Sequence, residues 1–170
     1  MALLPDQILT ERLVLKKSSM SYLDTWLQAI DDSRPELLPW MAWAAEAVSK
    51  AERIAKLQEY ITSFEQDKSF YHYFIFELQS SKFVGCINLK RQNTDACWSI
   101  GYWLTTAMTG RGYVTEAALA LEKAGEEKLG ITSIRIKIKA QNIKSRRVAE
   151  RLGFKLTKDT EEEFIFYEKK

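Results

Sequence analysis

Apolar and polar residues alternate in several short segments of the chain, a pattern typical of half-buried strands. In residues 10–17, Leu13 and Leu15 fall on one face, whereas Val14 and Lys16 fall on the other. A short polar turn joins the second and third of these segments, so residues 71–104 are expected to form an antiparallel meander. The predicted strands are residues 10–17, 71–78, 83–90, 96–104, 134–138, 154–157 and 163–167.

Two segments in the first half of the chain have helical spacing instead. Apolar residues recur every three or four positions in residues 20–30, and the polar run before Pro35 is expected to end that helix. Ser49 and Glu52 have the spacing of a capping box, and the apolar stripe that follows predicts a second helix to about residue 66.

Glycines mark the ends of the two helices predicted in the second half. Residues 114–129 end at Gly130, and residues 145–152 end at Gly153. The order of strands and helices predicts an α/β (α+β) fold, with a mixed, mostly antiparallel central sheet of about six to seven strands and about four flanking helices. We expect residues 1–170 to form a single domain, because nothing resembling a linker or an internal repeat interrupts the chain.

Composition narrows the functional classes. With 25 Lys and Arg against 23 Asp and Glu, the net charge of +2 favours neither a nucleic-acid nor a membrane partner. Two cysteines and one histidine are too few for a zinc site or a disulfide scaffold, so no metal is expected. The N-terminus lacks the pattern of a secretory signal and no apolar run is long enough to span a membrane, which predicts a cytoplasmic protein, monomeric or homodimeric.

The first candidate site is the loop that leads into the helix at residue 114. A strand runs through Thr109, Gly110, Arg111 and Gly112 into a helix N-terminus, where unpaired main-chain amides favour an anion. Glycine would allow the main chain to approach a diphosphate, and the Thr109 and Arg111 side chains would add donors. The spacing fits neither the P-loop nor the dinucleotide-binding fingerprint. A simple helix entry is the alternative.

A second signature lies in residues 139–154, where a strand again enters a helix. Asn142 precedes the helix, Ser145 lies in its first turn and Gly153 ends it. Its alternative explanation is a capped helix with a solvated basic face.

Together, in this order and separation, the two signatures resemble those of the GNAT superfamily of acetyl-CoA-dependent N-acetyltransferases. Residues 102–117 look like its pyrophosphate-binding motif, and residues 142–154 look like the acyl-CoA motif that follows. The segments 10–13, 100–104 and 142–145 further resemble the Rim-type branch, which acetylates the N-terminal amines of ribosomal proteins. The resemblance covers nearly the whole chain and is more specific for the superfamily than for any acceptor.

The resemblance implies acetyl-CoA as cofactor and a set of residues that bind it. The expected cofactor-binding residues are Leu104, Thr109, Gly110, Arg111, Gly112, Tyr113, Val114, Asn142, Ser145 and Arg147. The basic residues Lys144, Arg146, Arg147 and Arg151 are candidates for contacting the 3′-phosphate of the adenosine, with a solvated helix face as the alternative.

Two departures from the family pattern affect the expected chemistry. Ala107 stands where the superfamily often carries Gln or Arg, which removes a side-chain donor but leaves the main-chain amides. Ala149 stands where many GNAT enzymes place a tyrosine acid, so Ser145 is the candidate for protonating the thiolate. By resemblance, the thioester would lie where the strand ending near Leu104 splays from the strand ending near Ala140.

The proton acceptor is open at this stage. Glu77 is our candidate catalytic carboxylate, with Asp95 and the run of residues 161–163 as further possibilities. His72 on an apolar strand is expected to be structural, and Cys86 is expected to be buried rather than nucleophilic.

Trp40, Asn88 and Trp98 are the predicted substrate-binding residues. Trp40 lies in a loop whose counterpart in Rim-type enzymes shapes the acceptor groove, whereas for Trp98 on a strand the alternative is core packing. The expected function is acetyl transfer from acetyl-CoA to a primary amine, most simply a protein N-terminus. The alternatives are a small amine acceptor, such as an amino sugar, polyamine or drug, and a non-catalytic acyl-CoA-binding module.

Overall fold

The computed structural model describes residues 3–93 and 96–170. Its strands form one eight-stranded sheet in the order β1-β2-β3-β4-β5-β6-β8-β7. Every neighbouring pair is antiparallel except β5 and β6. The strands are β1 (Gln7–Leu9), β2 (Leu13–Lys17), β3 (Phe70–Glu77), β4 (Phe83–Arg91), β5 (Cys97–Leu104), β6 (Ser133–Lys139), β7 (Lys155–Glu161) and β8 (Phe164–Lys169).

Four α-helices cover this sheet, as the sequence predicted: α1 (Leu23–Leu37), α2 (Lys50–Thr62), α3 (Tyr113–Leu129) and α4 (Ile143–Arg151). The capping box that begins α2 is present, with Ser49 and Glu52 each bonding to the other's main-chain N–H. Gly130 and Gly153 follow α3 and α4 at φ angles of +65° and +85°, the left-handed region that favours glycine.

Several predicted boundaries differ from the structure: β2 begins at Leu13 rather than at residue 10, α4 begins at Ile143 rather than at residue 145, and β7 continues to Glu161 rather than ending at residue 157. Helix α1 continues through Pro35 to Leu37 rather than ending before the proline. Pro35 lies in the last turn, where its missing N–H removes one helical bond, and the N–H of Leu38 still reaches the carbonyl of Arg34 at 2.9 Å. Strand β1, with three residues, was not predicted because it is too short for alternation to be visible.

The parallel pair β5–β6 is joined over only three residue pairs. Cys97, Trp98 and Ser99 pair with residues 133–135, whereas the remainders of the two strands have no mutual pairing in the described chain. Strand β6 turns instead to β8, which it pairs along its length from Ile134 to Lys139. The two strands therefore separate towards their carboxyl ends, as the resemblance implied.

Both faces of the sheet are buried. One core, centred on Tyr71, Leu89 and Leu121, lies under α3 and α4, and the other, centred on Ile30 and Leu57, lies under α1 and α2. No helix among the described residues is long and apolar enough to cross a membrane. Likewise, those residues contain no group of three or more His, Cys, Asp and Glu that is suited to a metal ion.

The covering of both faces bears on the predicted substrate residue Trp98. Trp98 is 4% exposed, belongs to the first core and stacks on Tyr71 with ring centroids 5.9 Å apart. The structure therefore favours the alternative explanation for Trp98, core packing.

Candidate active site

A cleft of about 670 Å³ opens where β5 and β6 separate. Its walls come from the end of α1, the loop between β5 and α3, and the beginning of α4. The lining residues are Glu36, Leu37, Trp40, Met41, Tyr102, Trp103, Leu104, Thr106, Thr109, Gly110, Gly112, Tyr113, Val114, Thr115, Asn142, Lys144, Ser145, Arg147, Val148 and Arg151. The two sequence signatures thus meet at one cleft.

The glycine loop presents open main chain to this cleft. Gly110 and Gly112 both have φ of +77°, and a Cβ on Gly110 would meet no protein atom within 4 Å. The N–H of Glu116 bonds to the carbonyl of Gly112 at 3.1 Å, whereas within the described chain the amides of residues 110–115 have no acceptor. These amides lie at the positive end of α3, so the loop is suited to an anion.

Thr115 supplies a second sign of a missing partner. Thr115 lines the same cleft, and its Oγ1 is buried and has no hydrogen-bond partner among the residues that the structure describes. A buried hydroxyl without a partner costs free energy unless water or a ligand satisfies it.

An ion pair between Arg12 and Glu116 connects the residues before β2 to the glycine loop and the first turn of α3. Glu116 accepts hydrogen bonds from the Arg12 side chain at 2.7 Å, from the Arg12 amide at 2.8 Å and from Thr10 at 2.6 Å. Arg12 also donates to the Arg111 carbonyl at 2.9 Å and lies 4.6 Å above the ring of Tyr113. Burial opposes ionisation of Glu116, but these hydrogen bonds outweigh it and lower its pKa.

Ser145 and Tyr102 form a hydroxyl pair at the inner end of the cleft. Their oxygens are 2.7 Å apart, and this contact connects β5 to the first turn of α4 across the gap between the strands. Burial raises the pKa of Tyr102, although the hydrogen bond with Ser145 partly offsets that effect. Tyr102 therefore keeps its proton at neutral pH, and its hydroxyl also lies 3.4 Å from the Ser145 carbonyl oxygen, to which it can donate. Sequence reasoning quoted Tyr102 within a motif but gave it no role.

Asn142 acts as the N-cap of α4, where its side-chain oxygen accepts the amide of Ser145 at 3.2 Å. This cap fixes the main chain that carries Ser145. Asn142 thus caps the helix, as the alternative explanation expected, and it also lines the cleft.

The basic residues near α4 divide into two groups. Lys144, Arg147 and Arg151 line the cleft. Arg146 instead donates to the carbonyl of Ala140 at 3.0 Å and to the hydroxyl of Tyr167 at 3.3 Å, which ties it into the fold and raises its pKa. Only the first group is placed to meet a ligand phosphate.

Arg111 and Glu77 are directed away from the lining of the cleft. Arg111 reaches the carbonyl of Ala107 at 3.3 Å and Glu77 at 3.4 Å, and it is not among the residues that line the cleft. Glu77 also holds the Tyr113 hydroxyl at 2.7 Å, and hydrogen bonds from Ser80 and then Tyr113 lower its pKa. A carboxylate with a lowered pKa outside the lining is poorly suited to act as the base.

The run of residues 161–163 does not line the cleft either. Glu161 and Glu163 belong to the hairpin of β7 and β8. Glu161 forms an ion pair with Lys137 of β6, and Glu163 forms one with Lys139 of β6, each at 2.9 Å. Asp95 lies outside the described residues.

His72 and Cys86 are buried, as expected. Burial lowers the pKa of His72 to about 3 and raises that of the Cys86 thiol well above its usual value. Neither is suited to proton transfer or nucleophilic attack at neutral pH.

The remaining predicted substrate residues are separated by the structure. Trp40 lines the cleft beside Leu37 and Met41. Asn88 instead lies on β4, paired with Gly101 of β5, and does not line the cleft. Its side chain packs so close to Gly101 that a Cβ added to that glycine would lie 3.0 Å from the Asn88 Nδ2. Sequence reasoning missed Glu36, which also lines the cleft.

The residues present fit a cofactor that carries a pyrophosphate and a further phosphate. The free amides and the unpartnered Thr115 hydroxyl would receive the pyrophosphate, and the three basic residues of α4 provide a positive wall beside it. Leu104, Val114 and Val148 give the same cleft an apolar side suited to an aliphatic arm.

Comparisons with known proteins agree with this geometry. The probable N-acetyltransferase YjcK of Bacillus subtilis is 30% identical over 101 residues, which are 58% of this chain and 55% of YjcK, so the chain spans about half the length of that relative. The microcin C7 self-immunity acetyltransferase MccE, solved with acetyl-CoA and AMP, superimposes with a TM-score of 0.82 at 22% identity, covering 94% of this chain and 92% of its own.

A third protein has the same fold over nearly its full length. RimL, a ribosomal L7/L12 alpha-N-protein acetyltransferase solved with coenzyme A, superimposes with a TM-score of 0.83 at 20% identity, covering 98% of this chain and 97% of its own. The family model described as an acetyltransferase (GNAT) domain matches residues 12–155. The chain therefore belongs to the GNAT family of acetyltransferases.

Proposed function

We propose that this protein transfers the acetyl group of acetyl-CoA to a primary amine, and that the amine is the N-terminus of a protein. The observation that carries the transfer is the Tyr102–Ser145 hydroxyl pair, which lies in the same cleft as the open amides of residues 110–115. The protein acceptor is supported by the Rim-type resemblance of the sequence and by the similarity of the fold to RimL.

The chain's own residues have three tasks in this mechanism. The amides of residues 110–115 and the Thr115 hydroxyl would hold the pyrophosphate, while Lys144, Arg147 and Arg151 would hold the other phosphate. When bound, acetyl-CoA supplies an activated thioester, so that no protein nucleophile is needed. The Ser145 Oγ, oriented by Tyr102, donates a proton to the departing thiolate, and the proton that the acceptor nitrogen loses on acylation restores the Ser145 hydroxyl.

The splayed strands contribute main-chain groups to the same place. Beyond Ser99, the edge of β5 that faces β6 has no strand partner in the described chain. Buried N–H groups on such an edge need an acceptor, and a carbonyl oxygen that gains negative charge during acyl transfer is one.

A small amine is the second candidate acceptor. MccE, which is as similar in fold as RimL, was solved with AMP as well as acetyl-CoA, so this architecture also accompanies small ligands. The wall formed by Leu37, Trp40 and Met41 would suit either an N-terminal residue or a small amine with an apolar body.

The test measures acetyl-CoA-dependent thiol release in the presence of seryl and alanyl peptides, amino sugars and polyamines. We expect release above hydrolysis with the peptides and inhibition of that reaction by N-acetylated peptide product. Faster release with a small amine would favour the second candidate. Tight CoA binding in calorimetry without release for any amine would contradict the transferase and favour a non-catalytic acyl-CoA-binding module.

A further inference from the structure

The two sides of the cleft differ in charge. The three charged residues on the α4 side, Lys144, Arg147 and Arg151, are all basic. Among the described residues that line the cleft, Glu36 at the end of α1 is the only carboxylate. A negative group in a cleft that otherwise attracts phosphates is unfavourable for the cofactor, so it calls for a different ligand.

The structure fixes where this carboxylate stands. Glu36 lies in the last turn of α1 and accepts a hydrogen bond from the Thr106 hydroxyl at 3.0 Å. The amide of Thr106 donates to Ser33 of the same helix at 3.1 Å, so two bonds join the end of α1 to the loop that follows β5. Glu36 is exposed, and the bond from Thr106 holds its carboxylate beside the cleft.

The surroundings of Glu36 favour a cation. The C-terminal end of α1 carries the negative end of the helix dipole, which adds to the charge of the carboxylate. Arg34, in the same turn, bonds to Asp31 and to the carbonyl of Ala44 rather than to Glu36. Lys139 comes near this region, since it reaches the carbonyl of Pro39 at 3.2 Å, but its ion pair is with Glu163 at 2.9 Å rather than with Glu36.

Apolar groups line the cleft immediately after Glu36 in the chain. Leu37, Trp40 and Met41 all contribute, and an indole attracts cations through its ring face as well as packing against hydrocarbon. The combination is suited to an ammonium group attached to an apolar or peptide body. From these positions we infer that Glu36 binds the protonated amine of the acceptor and selects cationic acceptors over neutral ones.

This inference rests on the proposed function, but its test uses binding rather than turnover. The CoA-loaded protein is titrated with a seryl tripeptide amide and with phenethylamine, each against its N-formyl counterpart, which lacks the positive charge. We expect the wild-type protein to bind at least one free amine about tenfold more tightly than its N-formyl form, as a charge-assisted hydrogen bond would require.

Glu36→Gln keeps the shape of the side chain and removes its charge. We expect this variant to retain its affinity for CoA while its preference for the free amine falls to about threefold or less. Glu46→Gln is the matched control, because Glu46 is exposed in the connection between α1 and α2 and does not line the cleft. It should behave as the wild-type protein.

The contrary outcomes are distinct. Equal binding of free and N-formyl forms by the wild-type protein, or an unchanged preference in Glu36→Gln, would overturn the assignment of Glu36. Loss of CoA affinity in that variant would place Glu36 on the cofactor side and overturn it as well. If the preference depends on Glu36 but no acceptor is turned over, the cation site stands and the proposed transferase function fails.

Discussion

The hydroxyl of Tyr102 lies 2.7 Å from that of Ser145, across the gap that opens between β5 and β6. Tyr102 is on β5 and Ser145 is in the first turn of α4, so the contact joins the two elements on either side of the cleft. Because a serine hydroxyl rotates freely, a fixed neighbour decides where its proton points. We therefore expect Tyr102 to act as a positioning residue for Ser145.

This relationship predicts non-additive effects on turnover. Ser145→Ala should lower kcat about 100-fold, as expected for loss of a proton donor. Tyr102→Phe should lower kcat about tenfold, and the double variant should be no slower than Ser145→Ala, because Tyr102 acts through Ser145. The measurement is thiol release with saturating acetyl-CoA, and Tyr60→Phe, outside the cleft lining, is the control. Multiplicative losses in the double variant would show that the two hydroxyls act independently.

Gly110→Ala, compared with Gly130→Ala, should separate the cost of backbone strain from the loss of CoA binding. At φ of +77° an alanine costs about 1–2 kcal/mol of stability, and its methyl group would project into the open cradle. We expect CoA affinity to fall at least tenfold, or about 1.4 kcal/mol. Gly130→Ala is the matched control, since Gly130 has φ of +65°, also meets no atom within 4 Å and lies at the opposite end of α3. Equal CoA affinities for the two variants, measured by calorimetry, would contradict an anion site at Gly110.

Arg12→Gln should weaken both the fold and the cofactor site. Arg12 joins Glu116 to the Arg111 carbonyl, and its side chain is 45% exposed, so the loss of stability should be only about 1 kcal/mol. If the ion pair stabilises the form of the loop that binds CoA by the same free energy, its loss should lower CoA affinity about fivefold. Arg12→Lys should not restore it, because lysine cannot bridge the two acceptors in the same plane.

Arg135→Gln is the control for this prediction. Arg135 also joins two acidic residues, Asp159 and Glu168, but does so on the far part of the sheet, away from the cleft lining. It should lose stability without losing CoA affinity. An Arg12 variant with unchanged affinity in the same titration would show that the loop keeps its form without the ion pair.

His72 should make the fold sensitive to acid. Burial lowers its pKa from 6.5 to about 3, so below pH 6.5 the unfolded chain binds a proton that the folded protein excludes. Stability is therefore lost as the pH falls, with a slope approaching about 1.4 kcal/mol per pH unit from this group alone.

His72→Gln removes that titration. Urea unfolding at pH 6.5, 5.5 and 4.5 should show a shallower loss for the variant than for the wild-type protein. Parallel losses would mean that His72 takes up its proton in the folded state as readily as in the unfolded chain.

Most of the fold could be predicted from local patterns. The capping box at Ser49 and the glycines at Gly130 and Gly153 fix helix ends by geometry that a few neighbouring residues determine. Trp98 shows the limit of alternation, because both faces of this sheet are covered and the period of two does not reveal which side meets the ligand.

The site was predictable only where its residues are neighbours in the chain. The glycine loop and the Asn142–Ser145 turn are local signatures. Glu36 meets Thr106 across 70 positions, and Arg12 meets Glu116 across 104, so no short motif contains either contact. Such pairs are products of the topology, which brings the end of α1 and the beginning of β2 to the loop before α3.

The three-pair seam between β5 and β6 has a mechanical consequence. The main-chain bonds that connect the first five strands to the last three are confined to the end of the sheet remote from the cleft. Widening the cleft breaks side-chain contacts and leaves the ladder intact. The width of the cleft is thus set by side-chain contacts such as that between Tyr102 and Ser145, not by main-chain pairing between β5 and β6.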